Sequence, residues 1–229
     1  RNCGGCWDGR REAMKNAALI VGGCPAPGAG SFYVSLIRDA QLVVAADAGL
    51  ELCIAAGRMP DLCVGDFDSV TVESLRSAEE CGVMIERHPS EKDASDLDLA
   101  LDAVRRRGAT SLVVTAAFSG RISHTLAALG TLSRAADLKA TGLDPGLEIH
   151  PVDAVERPSV ALRLPVGTTF SVMTISGHAR VSITGARYPL IDADIEMYSS
   201  LGLSNIATAA TQVFGVSLGS VLVIVERTT

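Results

Sequence analysis

Aromatic side chains are scarce in this chain, at 4% of 229 residues, with Trp7 the lone tryptophan. Single-stranded nucleic acids are held by stacked rings, and phosphate backbones by a basic surface. Lys and Arg total 20 against 26 Asp and Glu, a formal charge of -6, so a nucleic-acid partner is not expected. If the substrate is anionic, a cation must stand between it and the protein. Long apolar runs are also missing: none approaches the roughly 20 residues of a membrane helix. The first residues show no apolar signal core followed by a cleavage site. The expectation is a cytoplasmic protein with no membrane partner. Six cysteines allow three disulfides, but Cys53 and Cys63 lie in apolar segments that read as core, so reduced thiols are expected. Cys3-Gly4-Gly5-Cys6 has the spacing of half a zinc site without a second close pair. Residues 1–16 read as a disordered tail.

What is present is an alternation of strands and helices. "AALIV" (17–21) reads as a strand entering the Gly- and Pro-rich loop "GGCPAPGAG". "QLVVAA" (41–46) and "DLCVG" (61–65) are further strands, with a helical stretch between them. "TVESLRSAEECG" reads as a helix closed by Gly82, and "VMIER" as a fourth strand. "SDLDLALDAVRRRG" is the clearest helix. Leu97, Ala100, Leu101 and Val104 recur at helical spacing, Ser95 caps it with Asp98 three residues on, and Gly108 follows a basic last turn. "SLVVTAAF" is a fifth strand and "SHTLAALGTLSRAA" another helix. The fold class is therefore α/β, a mostly parallel sheet with helices on both faces. Past "TGLDPG" (141–146) the runs become short and β-rich: "ALRLPVG", "TTFSVMTIS", "ARVSITGA", "GSVLVIVE". They predict a smaller all-β sandwich over 144–229, following an α/β domain over 17–143.

Ligands of an open parallel sheet sit at the carboxyl ends of its strands. Gly22, Gly23, Gly28 and Gly30 follow the first strand there, without the Gly-Lys-Ser/Thr of a Walker loop. The second strand ends at Asp47, and the third at Asp66 and Asp68. Asp93, Asp96 and Asp98 mark the start of the following helix. If its first turn reaches back that far, Asp93 and Asp96 face the same way. Helix capping accounts for Asp96 or Asp98 alone. It does not account for two acidic clusters at one sheet edge, which repel unless a cation lies between them. Mg2+, with its preference for carboxylate oxygens and substrate phosphates, fits. Asp66-Phe67-Asp68-Ser69-Val70 also fits the D-x-D-x-T/V pattern of haloacid-dehalogenase-like phosphatases, whose first Asp is a nucleophile. That family places the motif on its first strand, whereas here it follows the third.

Taken together, "ADAGLELCIAAGRMPDLCVGDFDSV", "EKDASDLDLAL", "SGRISHTLAALG" and "YSSLGLSN" resemble the ordered motifs of thiamine pyrophosphokinases, over roughly residues 17–226. The resemblance implies Mg2+-dependent transfer of a diphosphate from ATP to thiamine, giving thiamine diphosphate and AMP. It also implies a homodimer with sites near the subunit interface. On this reading Asp66, Asp68, Asp93 and Asp96 are catalytic and hold the metal. Asp47, Gly49, Lys92, Arg121 and His124 bind ATP, and one of the carboxylates, Asp47 included, accepts the proton of the attacking hydroxyl. Ser200, Ser204 and Asn205 bind thiamine. The chain departs from the family pattern at Ala48 and Ser119, where Gly is usual, at Ser123 for Asp, and at Ile206, where bacterial relatives commonly have Glu. Trp7 lies outside the second domain, so any ring stacked on thiamine must be Tyr188 or Tyr198. The alternatives are a diphosphokinase acting on another alcohol, such as a pterin, and a non-catalytic sensor of nucleotide or thiamine diphosphate.

Overall fold

The structure, a computed structural model, describes residues 17–226. Cys3, Cys6 and Trp7, with the tail and half-zinc-site readings, lie outside the described residues. Two compact units divide between Thr131 and Leu132.

The first unit carries strands β1 (Ala18–Val21), β2 (Leu42–Ala46), β3 (Leu62–Gly65), β4 (Met84–Arg87) and β5 (Leu112–Thr115). They pair in parallel in the order β5-β1-β2-β3-β4. β1, β3 and β5 are buried along their whole length, as continuous apolar strands inside a two-sided α/β layer must be. Helices α1 (Gly30–Asp39), α2 (Gly49–Ala55), α3 (Val72–Glu80) and α4 (Asp96–Arg106) connect successive strands, and α5 (Ile122–Ser133) follows β5. The path steps one way from β1 to β4 and then returns past β1 to β5. Right-handed crossovers therefore put α1–α3 on one face and α4 on the other. α4 packs against β1, β2 and β3 with Ala100, Leu101, Ala103 and Val104 buried. Its start carries the capping box expected from the sequence: the Asp98 amide donates to Ser95 Oγ at 3.2 Å, and the Ser95 amide returns a bond to Asp98 Oδ2 at 3.3 Å. α1, which no capping residue marks in the sequence, has no side-chain cap. Its carboxyl end is instead closed by Arg58, which donates to the carbonyls of Ile37 and Ala40 at 2.6 and 2.5 Å.

The second unit is a sandwich of two antiparallel sheets. One holds β6 (Thr141–Asp144), β7 (Leu147–Asp153), β9 (Thr169–Thr174), β12 (Asn205–Ile206) and β14 (Ser220–Glu226) in the order β12-β9-β14-β7-β6. The other runs β11 (Leu190–Glu196), β10 (His178–Thr184), β13 (Gln212–Leu218) and β8 (Ser159–Leu162). Side chains from both sheets meet in one core, where Phe170 of β9 and Phe214 of β13 stack edge to face at 5.2 Å. "TGLDPG" forms the tight end of the β6–β7 hairpin, with Asp144 paired to Leu147. β7 and β11 are not evident in the sequence because each carries residues that disfavour strands. Pro151 of β7 lies past the end of the β6 ladder, where β14 alone flanks the strand in the sheet. In β11, Asp192 takes φ +47° at a register shift opposite Val181 and Ile183, a bulge that absorbs the extra residue.

Candidate active site

Parallel pairing of β2 with β3 sets Ala46 beside Val64, so the residues that follow leave the sheet at the same edge. Asp47, at φ +47°, anchors its amide to the Val64 carbonyl at 2.9 Å. A left-handed backbone suits Asp, whose short side chain tolerates that region. Gly65, at φ +154°, passes so close that a Cβ there would lie 3.3 Å from the Asp47 Cα. Asp66, Phe67 and Asp68 then form a turn, with Phe67 buried at φ +63° and the two carboxylates on either side of it. The outcome is a cluster: carboxylate oxygens of Asp47, Asp66 and Asp68 all lie within 4.8 Å of one another.

The electrostatics of this cluster are unbalanced. Asp47 Oδ1 is buried and has no hydrogen-bond partner among the described residues. Burial pushes the Asp47 carboxyl up, against the Ala48 amide and the Ser69 hydroxyl, while Asp96 and Asp68 push it further. Asp66 goes the other way. Burial would raise it, but the Asp68 amide, the Ser90 hydroxyl and Lys92 together hold it below the ordinary carboxylate range. Lys92 lies 3.0 Å from Asp96 Oδ1 and 3.8 Å from Asp66 Oδ2. Its burial pulls the ammonium down, yet Asp96, Asp66 and Asp47 keep it above its usual value. One lysine thus faces three carboxylates, leaving Asp68 to be met by the Ser69 hydroxyl at 2.8 Å.

The structure distributes the sequence's candidates unevenly. Asp96 reaches the cluster through Lys92. Asp93 is exposed and stands outside the close group, because the helix begins at Asp96 behind the Ser95 cap and does not extend back to carry it on the same face. Asp98 is consumed in capping α4. Gly49 is buried at the start of α2, and a Cβ there would fall 2.0 Å from the Val21 carbonyl oxygen, so only glycine lets α2 approach β1. Ala48 has φ -59°, a region open to any residue, which is why it stands without strain in the place of a glycine. The loop after β5 ends at Arg121, which contacts His124 in the first turn of α5, both exposed. It is braced by the Cys24 amide on the Ala116 carbonyl at 2.7 Å.

In the second unit Ser200 and Ser204 are exposed, and Ser204 takes φ +53°. Asn205 is buried, and its side chain ties β12 to the neighbouring segment. Its Nδ2 donates to the Tyr188 carbonyl at 2.7 Å, and its Oδ1 accepts from the Tyr188 and Ile206 amides at 3.0 and 2.9 Å. The Tyr188 side chain is exposed, as are Tyr198, Leu201 and Leu203 in the segment that precedes Asn205.

Cys53 and Cys63 are free and buried, and burial pushes both thiols up to about 12. Among the described residues no helix is long and apolar enough to cross a membrane.

The family model for the thiamin pyrophosphokinase catalytic domain matches residues 33–141, and that for the thiamin pyrophosphokinase vitamin B1 binding domain matches 158–223. A thiamine pyrophosphokinase of Bacillus subtilis is 25% identical over 192 residues, covering 80% of this chain and 86% of that protein. The crystal structure of the Bacillus subtilis enzyme superposes with a TM-score of 0.77 at 23% identity, covering 93% of this chain and all of that one. Thiamin pyrophosphokinase from Candida albicans superposes with the same TM-score, 0.77, at 14% identity, covering 94% and 91% of the two chains. With both family models matched in order along most of its length, the chain belongs to the thiamine pyrophosphokinase family.

Proposed function

We propose that the protein transfers a diphosphate group from ATP to the hydroxyethyl oxygen of thiamine, producing thiamine diphosphate and AMP with Mg2+ as the metal. One observation carries this reading: three carboxylates crowd the carboxyl edge of a parallel sheet, and one of their oxygens is buried without a hydrogen-bond partner among the described residues. An all-oxygen donor set of this kind suits a hard divalent ion, and the orphaned Asp47 oxygen is the group such an ion would satisfy.

Asp47, Asp66 and Asp68 would hold the metal, with Asp96 bound to the set through Lys92 and the exposed Asp93 outside the close group. Bound there, the metal supplies charge neutralisation for the polyphosphate. Every other task falls to the chain's own groups. Lys92 and Arg121 offer cations to the phosphates, and His124, held by Arg121, offers a ring nitrogen to the nucleotide. The acceptor oxygen bonds to the β-phosphorus while the bond from that phosphorus to the α–β bridging oxygen breaks. AMP leaves with the electron pair, and a carboxylate of the cluster takes the hydroxyl proton. Ser200, Ser204 and the exposed rings of Tyr188 and Tyr198 provide the hydroxyls and flat apolar faces that the thiamine rings need. Asn205 shapes that surface through its bonds to Tyr188. The same reading makes the protein a homodimer with its sites near the subunit interface, which sedimentation at assay concentration tests.

The deciding experiment incubates purified protein with ATP, Mg2+ and thiamine and follows AMP. Thiamine-dependent AMP, lost in Asp66→Asn, is the expected result. AMP formed only with another alcohol such as a pterin would change the acceptor. Binding without turnover would make the protein a sensor, and inorganic phosphate in place of AMP would indicate a phosphatase.

A further inference from the structure

Arg87 is a residue that the proposed reaction leaves without a task. It ends β4 beside Gly65 in the parallel ladder, which brings it level with the start of the Asp66–Asp68 turn. Its neighbour Glu86 is already engaged by Arg106 at 2.6 Å and Arg107 at 3.6 Å, so the Arg87 guanidinium is not drawn in that direction. It goes instead to the turn. The guanidinium carbon lies 5.1 Å from the centroid of the Phe67 ring, within cation–π range, and one N–H donates to the Asp66 carbonyl oxygen at 3.3 Å. Phe67 is the residue that separates the two carboxylates, and it is buried at φ +63°. A bulky side chain holds a left-handed backbone only where its surroundings enforce it.

We infer that Arg87 is a positioning residue for the metal site. By pinning the Phe67 ring and the Asp66 carbonyl, it fixes the left-handed turn that aims the Asp66 and Asp68 carboxylates at Asp47. This rests on the proposal above that these carboxylates bind a divalent cation. Without the clamp, the turn relaxes towards an ordinary backbone, and the two carboxylates, repelling each other, part.

The test measures Mn2+ binding to the full-length protein without nucleotide, from the electron paramagnetic resonance signal of free Mn2+. The proteins are wild type, Arg87→Met, Arg87→Lys and Asp66→Asn, each also melted in chelator. Arg87→Met keeps the apolar stem and removes the charge; Arg87→Lys restores a cation and a donor. Loss of an outer partner of a metal ligand weakens affinity by about 10- to 100-fold, the range expected for Arg87→Met, with Arg87→Lys recovering part of it. Phe67→Leu, which fills the site but lacks a ring, gives a smaller loss in the same direction and serves as the check if Arg87→Met does not fold. The assignment is overturned if Arg87→Met, or Phe67→Leu in its place, binds Mn2+ within about twofold of wild type, well short of the loss typical of such partners. It is equally overturned if Arg87→Lys matches Arg87→Met, or if the variant raises only the KM for ATP, which would make Arg87 a phosphate contact. Wild type binding no better than Asp66→Asn would overturn the metal reading itself, and the assignment with it.

Discussion

Replacing Asp47 with asparagine removes one charge from the cluster while disturbing little else. Asparagine tolerates the left-handed backbone that Asp47 adopts at φ +47°, so no strain is added. The carboxylates lie within 4.8 Å of one another, where two unit charges repel by about 3.5 kcal/mol at an effective dielectric of ~20 and about 0.9 kcal/mol in water. Asp68 is exposed and Asp66 partly so, which places each pair near the lower figure. The repulsions from Asp66 and Asp68 vanish in Asp47→Asn together with that from Asp96, while the attraction for Lys92 is lost and the bonds from the Ala48 amide and Ser69 hydroxyl weaken. The net gain is about 1 kcal/mol, or a Tm higher by about 2–4 °C for a chain of this size. In chelator, the variant should therefore melt above wild type by that amount. With Mg2+ added, wild type should rise and the variant should not. Acidification sharpens the contrast. The folded-state value of Asp47 is raised above its unfolded value, so the folded protein binds the proton more tightly. Wild type is thus penalised at neutral pH and relieved as pH falls through that raised value, so the gap between the two proteins closes. Differential scanning calorimetry with and without chelator, across that pH span, is the assay. A variant that melts several degrees lower, or that keeps its full response to Mg2+, would show Asp47 to be a structural residue and refute the reasoning.

Three further outcomes are expected. Ser95→Ala removes the hydroxyl of the α4 capping box, should cost about 1 kcal/mol, and should lower turnover as Asp96 loses its placement, read by chemical denaturation alongside AMP release. Asn205→Ala leaves the Tyr188 amide and carbonyl without their partner in a partly buried setting and should cost about 1 kcal/mol by the same denaturation measurement; unchanged stability with a raised KM for thiamine would make Asn205 a substrate contact instead. Cys53 and Cys63, with thiols pushed up to about 12, should resist iodoacetamide at pH 8 in the native protein while exposed Cys81 is alkylated, as mapped by peptide mass spectrometry.

Features that depend on neighbours a few residues away were legible in the sequence. The α4 helix is one: Ser95 and Asp98 sit one turn apart, and the apolar spacing behind them is written in consecutive residues. The buried runs of β1, β3 and β5 are another. The motifs carried the family as well, because their order along the chain survives even at 25% identity to a relative. Tertiary structure decided the rest. That Asp47 joins Asp66 and Asp68 depends on β2 lying beside β3 in one register, a pairing of segments some twenty residues apart that no local pattern encodes. That Asp93 stands apart from the close group depends on where the helix starts. Asn205 reads as a polar turn residue until the segment between β10 and β11 folds beside β12 and brings Tyr188 within reach of both ends of its amide. Arg87 reads as a strand end until the ladder sets it over Phe67. The division follows from range. Propensity, capping and apolar period act through bonds and turns along the chain, whereas a cluster of like charges forms only where the packing of separate segments overrides their repulsion.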